Sequence, residues 1–317
     1  MKSLLQHKFT RFRAYQLGAE GSSFSYFKGD HFTLIEARLT DVNRPQLKNE
    51  LKACGVSAIH CLHITSWDKD HCAESELEEI LGTWSPEKIE YPGYDPHSDT
   101  GISCLSIIQD YKAKKAKKIV RIDPPYIASL DDATRWGYRN IFYWPTQIDE
   151  ENSNNNSTVK FFRSGCFNVL SFGDLENESL SGYFKGRADL QSETDIMILA
   201  HHGADNGFTT KSLLKKLNPT VTICSSNYDN KFEHPKEEIR ELLHELNIPI
   251  FTTKTGDVII ESIAPHKRRY AVWNLIANSE EVSSKHEYKS KKSNFLENSD
   301  RARCHYESDA NPFKKFY

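Results

Sequence analysis

The sequence predicts an α/β fold in which two sheets pack between helices and present ligands at strand ends. Two observations predict the architecture and one predicts the site. The early part of the chain is strand-rich, and the later part alternates strand with helix. At 317 residues, with 38% hydrophobic and 27% charged residues, the chain can bury an ample core as one large domain or two small ones. Three apolar runs end abruptly in polar clusters: Thr65-Ser66-Trp67-Asp68-Lys69-Asp70-His71, Gly173-Asp174 and Leu199-Ala200-His201-His202-Gly203. Carboxylates and imidazoles are costly to bury unless they are paired or hold a metal.

The elements follow in order. A Gly-rich turn at Gly18-Ala19-Glu20-Gly21 precedes a strand at Phe32 to Glu36. Leu47 to Cys54 is helical, with Gly55 as its stop, and Val56 to Thr65 is a strand that delivers the first cluster. An acidic helix at Ala73 to Leu81, a longer helix at Ser103 to Lys118 and a strand at Lys118 to Ile122 come next. The Asn-rich stretch Glu150 to Ser157 is a loop, followed by strands at Thr158 to Phe162 and Phe167 to Phe172. Asp195 to Ala200 and Val221 to Ser225 are strands that alternate with helices at Thr210 to Leu217 and Pro235 to Leu246, the last opened by proline. Pro249 to Thr253 and Asp257 to Ser262 close the domain as a pair of strands. The boundary is set at residue 265, and 266–317 is a polar, basic extension that is partly ordered or binds a partner.

Charge and cysteine usage bound the function classes. The formal net charge of −3 gives no global sign of a nucleic-acid binder, yet residues 266–317 hold 11 Lys/Arg against 7 Asp/Glu. No apolar run reaches the roughly 18–20 residues that span a bilayer. The N-terminus lacks the apolar core of a secretory signal, and the seven cysteines form no CxxC pair. A cytoplasmic protein with reduced core thiols and no membrane association is expected.

Asp68, Asp70 and His71 lie close enough for a sharp turn to converge them, and two neighbouring carboxylates repel unless a cation offsets them. A mixture of Asp and His suits Mn²⁺, Zn²⁺ or Mg²⁺. The bland alternatives are a solvated acidic loop for Asp68 to Asp70, a turn aspartate for Asp174 and an ordinary residue before a helix for His234. Adjacent histidines at the end of a buried-type strand are more specific.

As an ordered set, DxDH, GD, HHG and HP resemble the metallo-β-lactamase superfamily, most closely the soluble hydrolase domain of the ComEC-type DNA-uptake proteins. Gly18-Ala19-Glu20-Gly21-Ser22-Ser23, Thr33-Leu34-Ile35-Glu36-Ala37, Leu51-Lys52-Ala53-Cys54-Gly55-Val56, Asn154-Asn155-Asn156-Ser157 and Asn230-Lys231-Phe232-Glu233-His234-Pro235 align in the same order, so the likeness runs from about residue 11 to 263. Three departures stand out. Ser66 replaces the first histidine of the metal motif, Glu36 replaces an aspartate, and the early Gly turn lacks its acidic residues.

The resemblance implies a four-layer αββα metallo-β-lactamase fold with a C-terminal tail, and a metal-dependent nuclease that cleaves phosphodiesters with metal-activated water. One or two divalent ions are implied, held by Asp68, Asp70, His71, Asp174 and His201 or His202. Asp174 would bridge, and Asp70, His202 and His234 would act in catalysis. Asn155, Ser157, Asn230 and Lys69 are expected to bind substrate. Lys112, Lys114, Lys115, Lys117, Lys118 and Lys267-Arg268-Arg269 are further phosphate-contact candidates, and Trp67 either flanks a nucleotide or packs beneath the site. With no membrane channel in the chain, uptake itself is not the expected role; work beside protein partners, for instance in antiviral defence, is. Two other classes stay open: a hydrolase of a cyclic nucleotide, lactone or thioester, and a binding protein with a partly degenerate site.

Overall fold

The computed structural model describes residues 9–115, 117–130, 141–263 and 269–292. The first half of the fold comprises β1 (Thr10–Ala14), β2 (Phe24–Lys28), β3 (His31–Ile35), α1 (Asn43–Ala53), β4 (Cys61–His63), α2 (Glu74–Trp84), β5 (Lys88–Pro92), α3 (Asp99–Lys115), β6 (Lys118–Ile122) and α4 (Pro124–Ser129). Then come β7 (Ile141–Trp144), β8 (Val159–Phe162), β9 (Val169–Ser171), α5 (Glu178–Lys185), α6 (Ala188–Glu193) and β10 (Ile196–Ile198). The chain continues through α7 (Lys211–Leu217), β11 (Val221–Cys224), α8 (Glu237–Glu245), β12 (Ile250–Thr252), β13 (Val258–Ser262), β14 (Arg269–Leu275) and β15 (Val282–Lys289).

Local chemistry fixes the helix starts. Asp123 accepts from the Tyr126 amide at 2.9 Å to cap α4, and Thr210 Oγ1 accepts from the Leu213 amide at 3.1 Å to cap α7. Asn177 does the same for α5, accepting from Ser179 N at 2.8 Å.

Among the described residues two sheets form, one of nine strands in the order β15-β14-β13-β1-β2-β3-β4-β5-β6 and one of six in the order β12-β11-β10-β9-β8-β7. Phe12, Phe24, Tyr26, Val258 and Ile260 of the larger sheet bury against Phe162, Val169, Ile196, Ile198 and Ile223 of the smaller one. The outer face of the larger sheet packs on Leu47 and Leu51 of α1, Leu77 and Ile80 of α2, and Ile108 of α3. The smaller sheet is covered by Leu180 and Phe184 of α5, Leu190 of α6, Leu213 and Leu214 of α7, and Ile239 and Leu243 of α8. The layers therefore run helix, sheet, sheet, helix, the expected αββα arrangement. Each sheet follows from alternation that sends one side of every strand toward its partner sheet.

Two expectations need revision. β12 joins the smaller sheet beside β11, whereas β13 joins the larger one between β14 and β1, so the two are not a hairpin pair. The larger sheet also runs past residue 265: β14 pairs antiparallel with β13, and β15 with β14. Residues 293–317 of the expected extension lie outside the described residues. The six cysteines described are free thiols, five of them buried; Cys304 lies outside. No helix among the described residues is long and apolar enough to cross a membrane.

Candidate metal centre

Parallel strands set the position of the site. β3 and β4 run parallel in the larger sheet, and β9, β10 and β11 run parallel in the smaller one. Their C-terminal ends deliver Glu36, Thr65, Asp174, His201 and Ser225 to one edge of the sandwich, where open α/β sheets place ligands. After β4 the chain turns back sharply, with the His71 and Cys72 amides both donating to Asp68 O at 2.9 Å. Gly173 has φ +55, and a Cβ there would come within 2.7 Å of the Ser157 Cβ, so only glycine fits this turn. The His201 amide donates to Gly173 O at 3.0 Å and ties the β9 and β10 ends together.

Asp70, His71, Asp174 and His202 converge, with one ligand atom from each lying within 4.8 Å of all the others. His71 Nε2 is 2.7 Å from Asp174 Oδ2 and 4.0 Å from Asp70 Oδ2, and His202 Nε2 is 3.2 Å from Asp70 Oδ2. Both imidazoles are held from behind. His202 Nδ1 is 2.8 Å from the Ser225 carbonyl oxygen, to which it donates, leaving Nε2 for the cluster. His71 Nδ1 faces Glu36 Oε1 at 3.2 Å, and Glu36 in turn accepts from the Thr65 amide at 3.0 Å and Thr65 Oγ1 at 2.6 Å. Carboxylates and carbonyls on the far nitrogen of a histidine fix its tautomer and raise its basicity as a ligand. Ser157 Oγ accepts from the Asp174 amide at 3.0 Å and fixes that turn.

The electrostatics of this donor set fit a cation. Burial disfavours charge on all four groups, yet mutual contact overrides it. Burial alone would lower His71, but Asp174, Glu36 and Asp70 hold it well above the usual histidine range. His202 is raised as well, against burial, by Asp70 and Asp174. Asp70 and Asp174 are held low, again against burial, by His71 and His202. The carboxylates thus favour positive charge on the two imidazoles, and a divalent ion would supply positive charge at the same place while displacing protons. Two nitrogens and two carboxylate oxygens suit Zn²⁺ or Mn²⁺.

The remaining expected site residues fall into different places. His201 stands outside the cluster, with Nδ1 2.8 Å from Glu176 Oε1 though not aligned for a hydrogen bond. Of the two candidate histidines, His202 is the one that joins the cluster: β10 ends in left-handed backbone at His201 and His202, which swings only the second ring onto Asp70. Asp68 is also outside. Its carboxylate accepts from Ser66 Oγ at 2.9 Å, and that hydroxyl is 3.1 Å from Tyr94 Oη, so this corner is closed by hydrogen bonds among side chains. Trp67 is buried and donates to Tyr94 O at 3.0 Å, so it packs beneath the site.

An open cavity of about 570 Å³ lies over the cluster, with Asp70, His202, His201, His234, Lys69 and Asn230 among its lining residues. Asn155 and Ser157 do not reach it. Asn155 is buried and its amide is spent on the Asp149 carboxylate and the Glu176 and Asn177 amides, while Ser157 holds Asp174. Asn230 lines the cavity but its side chain clamps the His234 backbone, Oδ1 accepting from N at 2.6 Å and Nδ2 donating to O at 3.0 Å. Burial, then the neighbouring His202 and His201, push His234 down to about 4, so it is neutral near pH 7. Lys112, Lys114, Lys117 and Lys118 sit at the end of α3 and on or beside β6, an edge strand, and none lines the cavity. Lys115's side chain, Lys267 and Arg268 lie outside the described residues. Glu36 was visible only as a departure from the family's aspartate, and Glu176 and Ser225 were not legible as site residues, since each carries its role through a partner distant in sequence.

No protein-family model matches the chain. ComE operon protein 3 of Bacillus subtilis is 22% identical over 212 residues, which cover 66% of this chain and 25% of that protein. Competence protein ComA of Neisseria gonorrhoeae is 28% identical over 125 residues, 38% of this chain and 17% of that one. The chain is thus similar to two competence proteins over part of its length. The chain spans a quarter or less of the length of these curated relatives. Among solved structures, Igni18, a metallo hydrolase of the archaeon Ignicoccus hospitalis, overlays with a TM-score of 0.44 at 15% identity, covering 78% of this chain and 98% of that one. Tm1679, a metal-dependent hydrolase of the β-lactamase superfamily, overlays with a TM-score of 0.46 at 13% identity, covering 78% and 98%.

Proposed function

We propose that the chain is a metal-dependent hydrolase that cleaves phosphodiesters, with DNA as its substrate. The observation that carries this reading is the convergence of Asp70, His71, Asp174 and His202 at the base of an open cavity. The resemblance of the chain's ordered motifs to the ComEC-type DNA-uptake proteins supports DNA as the substrate.

In this reading those four residues hold one divalent ion, Mn²⁺ or Zn²⁺. A divalent ion there supplies Lewis acidity, which acidifies water and polarises a phosphoryl oxygen. Asp68 is engaged with Ser66, so a second ion finds no ready carboxylate, and one ion per chain is expected. Lys69 reaches into the cavity and contacts a substrate phosphate. His201, beside Glu176, faces the same space and meets the non-bridging oxygens. His234, neutral near pH 7, serves there as a hydrogen-bond partner and not as a proton donor.

The test is cleavage of plasmid and single-stranded DNA with Mn²⁺, Mg²⁺, Zn²⁺ or EDTA, beside an Asp174→Asn control and a metal-to-protein ratio. Cleavage that EDTA and Asp174→Asn both abolish, at one bound ion per chain, is the expected result. A chain that binds no divalent ion, or a variant that cleaves as well as wild type, would sink the proposal. Metal binding with activity only on a cyclic nucleotide, lactone or thioester would transfer it to a small-substrate hydrolase.

A further inference from the structure

Five large apolar side chains are exposed among the described residues, and two of them, Tyr228 at 69% and Phe232 at 51%, sit on the one loop between β11 and α8. That loop is a built structure. Asn230 Nδ2 donates to Asn227 O at 2.8 Å as well as to His234 O, and Glu233 takes a left-handed φ of 58° to turn the chain. The product is a staircase of rings. Phe232 stacks on His234, with centroids 5.7 Å apart and planes 21° apart. His234 stacks in turn on His202 of the metal cluster, at 6.2 Å and 8°. Near-parallel rings thus lead from solvent to the ion site along the cavity wall.

Cations accompany the rings. Lys69 lines the same cavity, and Lys231 Nζ lies 4.7 Å from the centre of the Phe232 ring and 3.5 Å from Glu20. The Lys231 side chain is 66% exposed and free to swing, so an incoming planar group can replace the ammonium over the ring while the ammonium moves to an adjacent phosphate. An exposed aromatic face beside cations is the recognition element for a base on a sugar–phosphate strand, since every base has a π-face.

We propose that Phe232 is a stacking platform for the base next to the phosphodiester held at the metal cluster. This rests on the nucleic-acid reading above and adds to it that the substrate must present an unpaired base at that position. Its test is equilibrium binding by the full chain in Mn²⁺ of a phosphorothioate single strand that resists cleavage, carrying 2-aminopurine or an abasic site at one position. Wild type and Phe232→Trp should quench 2-aminopurine and bind the intact strand alike, whereas Phe232→Ala should lose quenching and bind roughly tenfold more weakly. The abasic strand should bind all three proteins equally weakly. Equal affinity of wild type and Phe232→Ala for the intact strand, the same loss on the abasic strand, or no binding at all would overturn the platform. Cleavage of ordinary DNA is read separately: cleavage without Phe232-dependent stacking leaves the hydrolase standing alone, and stacking without cleavage does the reverse.

Discussion

Glu36 occupies a left-handed backbone position, φ +68, fully inside the protein and against His71. Removing its charge while keeping its shape should weaken the grip of His71 on a cation. Glu36→Gln is expected to lower metal affinity by about 10–100-fold, read by competition with a chromophoric chelator; an unchanged dissociation constant would remove Glu36 from the site. Asp174 gives a second residue-level expectation. A ligand that binds only the folded chain raises its melting temperature. Mn²⁺ or Zn²⁺ should therefore raise the wild-type midpoint and leave Asp174→Asn unmoved in a thermal melt. Asp70, His71 and Asp174 were legible as a cluster because each follows an apolar run that has no other use for such groups. Which of the two histidines would turn inward was not, since a rotation of one residue's backbone decides it. The closed Ser66, Asp68 and Tyr94 corner was half legible: the serine was visible as a departure, its tyrosine partner was not.

At the scale of elements, α1, α2, α3, α7 and α8 were read, whereas the short helices α4, α5 and α6 and the strands β1, β2, β5, β7, β14 and β15 were not. α2 and α7 carry clean apolar spacing, and each begins within a residue or so of its expected start. β1 was not read, although Arg11 and Arg13 alternate with Phe12 and Ala14 as a strand requires. Arg13 is nonetheless buried, since Asp257 at 2.7 Å and Glu50 at 3.2 Å neutralise it. β14 and β15 were hidden by the polar, exposed face of the outer strand. The end of this hairpin is fastened by Asp195, whose carboxylate accepts the Lys291 amide at 2.7 Å and the Asn168 amide at 2.9 Å. Burial raises that carboxyl to about 6 despite those hydrogen bonds. A carboxyl raised in the folded state binds protons there that the unfolded chain has released, so stability is greatest below the ordinary carboxylate range and falls as pH rises toward about 6. Urea midpoints from pH 4 to 7 should show wild type losing ground to Asp195→Asn over that interval and holding level above it. A constant difference would count against the assignment.

For the whole molecule, the two-sheet sandwich between helices was legible, because apolar strand runs and amphipathic helices alternate as such a layering requires. The order of strands within each sheet was not, since β12 and β13 are adjacent in sequence yet belong to opposite sheets. Nor were charges buried in the core. Glu90 on β5 meets Lys160 on β8 and Lys88 on its own strand, so one carboxylate links the two sheets. Lys160 also lies 4.7 Å from the Phe142 ring and 4.9 Å from that of Phe162. Breaking a buried pair leaves an uncompensated charge, and Glu90→Gln should cost about 3–5 kcal/mol in chemical denaturation. Adding Lys160→Met to that variant should return much of the loss; no recovery would mean that Glu90 acts on something other than the lysine.

The consecutive left-handed residues His201 (φ 45, ψ 51) and His202 (φ 55, ψ 21) carry one more consequence. Side chains with a Cβ resist this conformation by roughly 1–2 kcal/mol each, and glycine would sit there at ease. His201→Gly, which leaves the Asp70–His202 contact in place, should consequently melt higher than the cation-free wild type in a thermal scan. Glycine would give the sturdier bend, so the two imidazoles hold their places here at a cost to the scaffold.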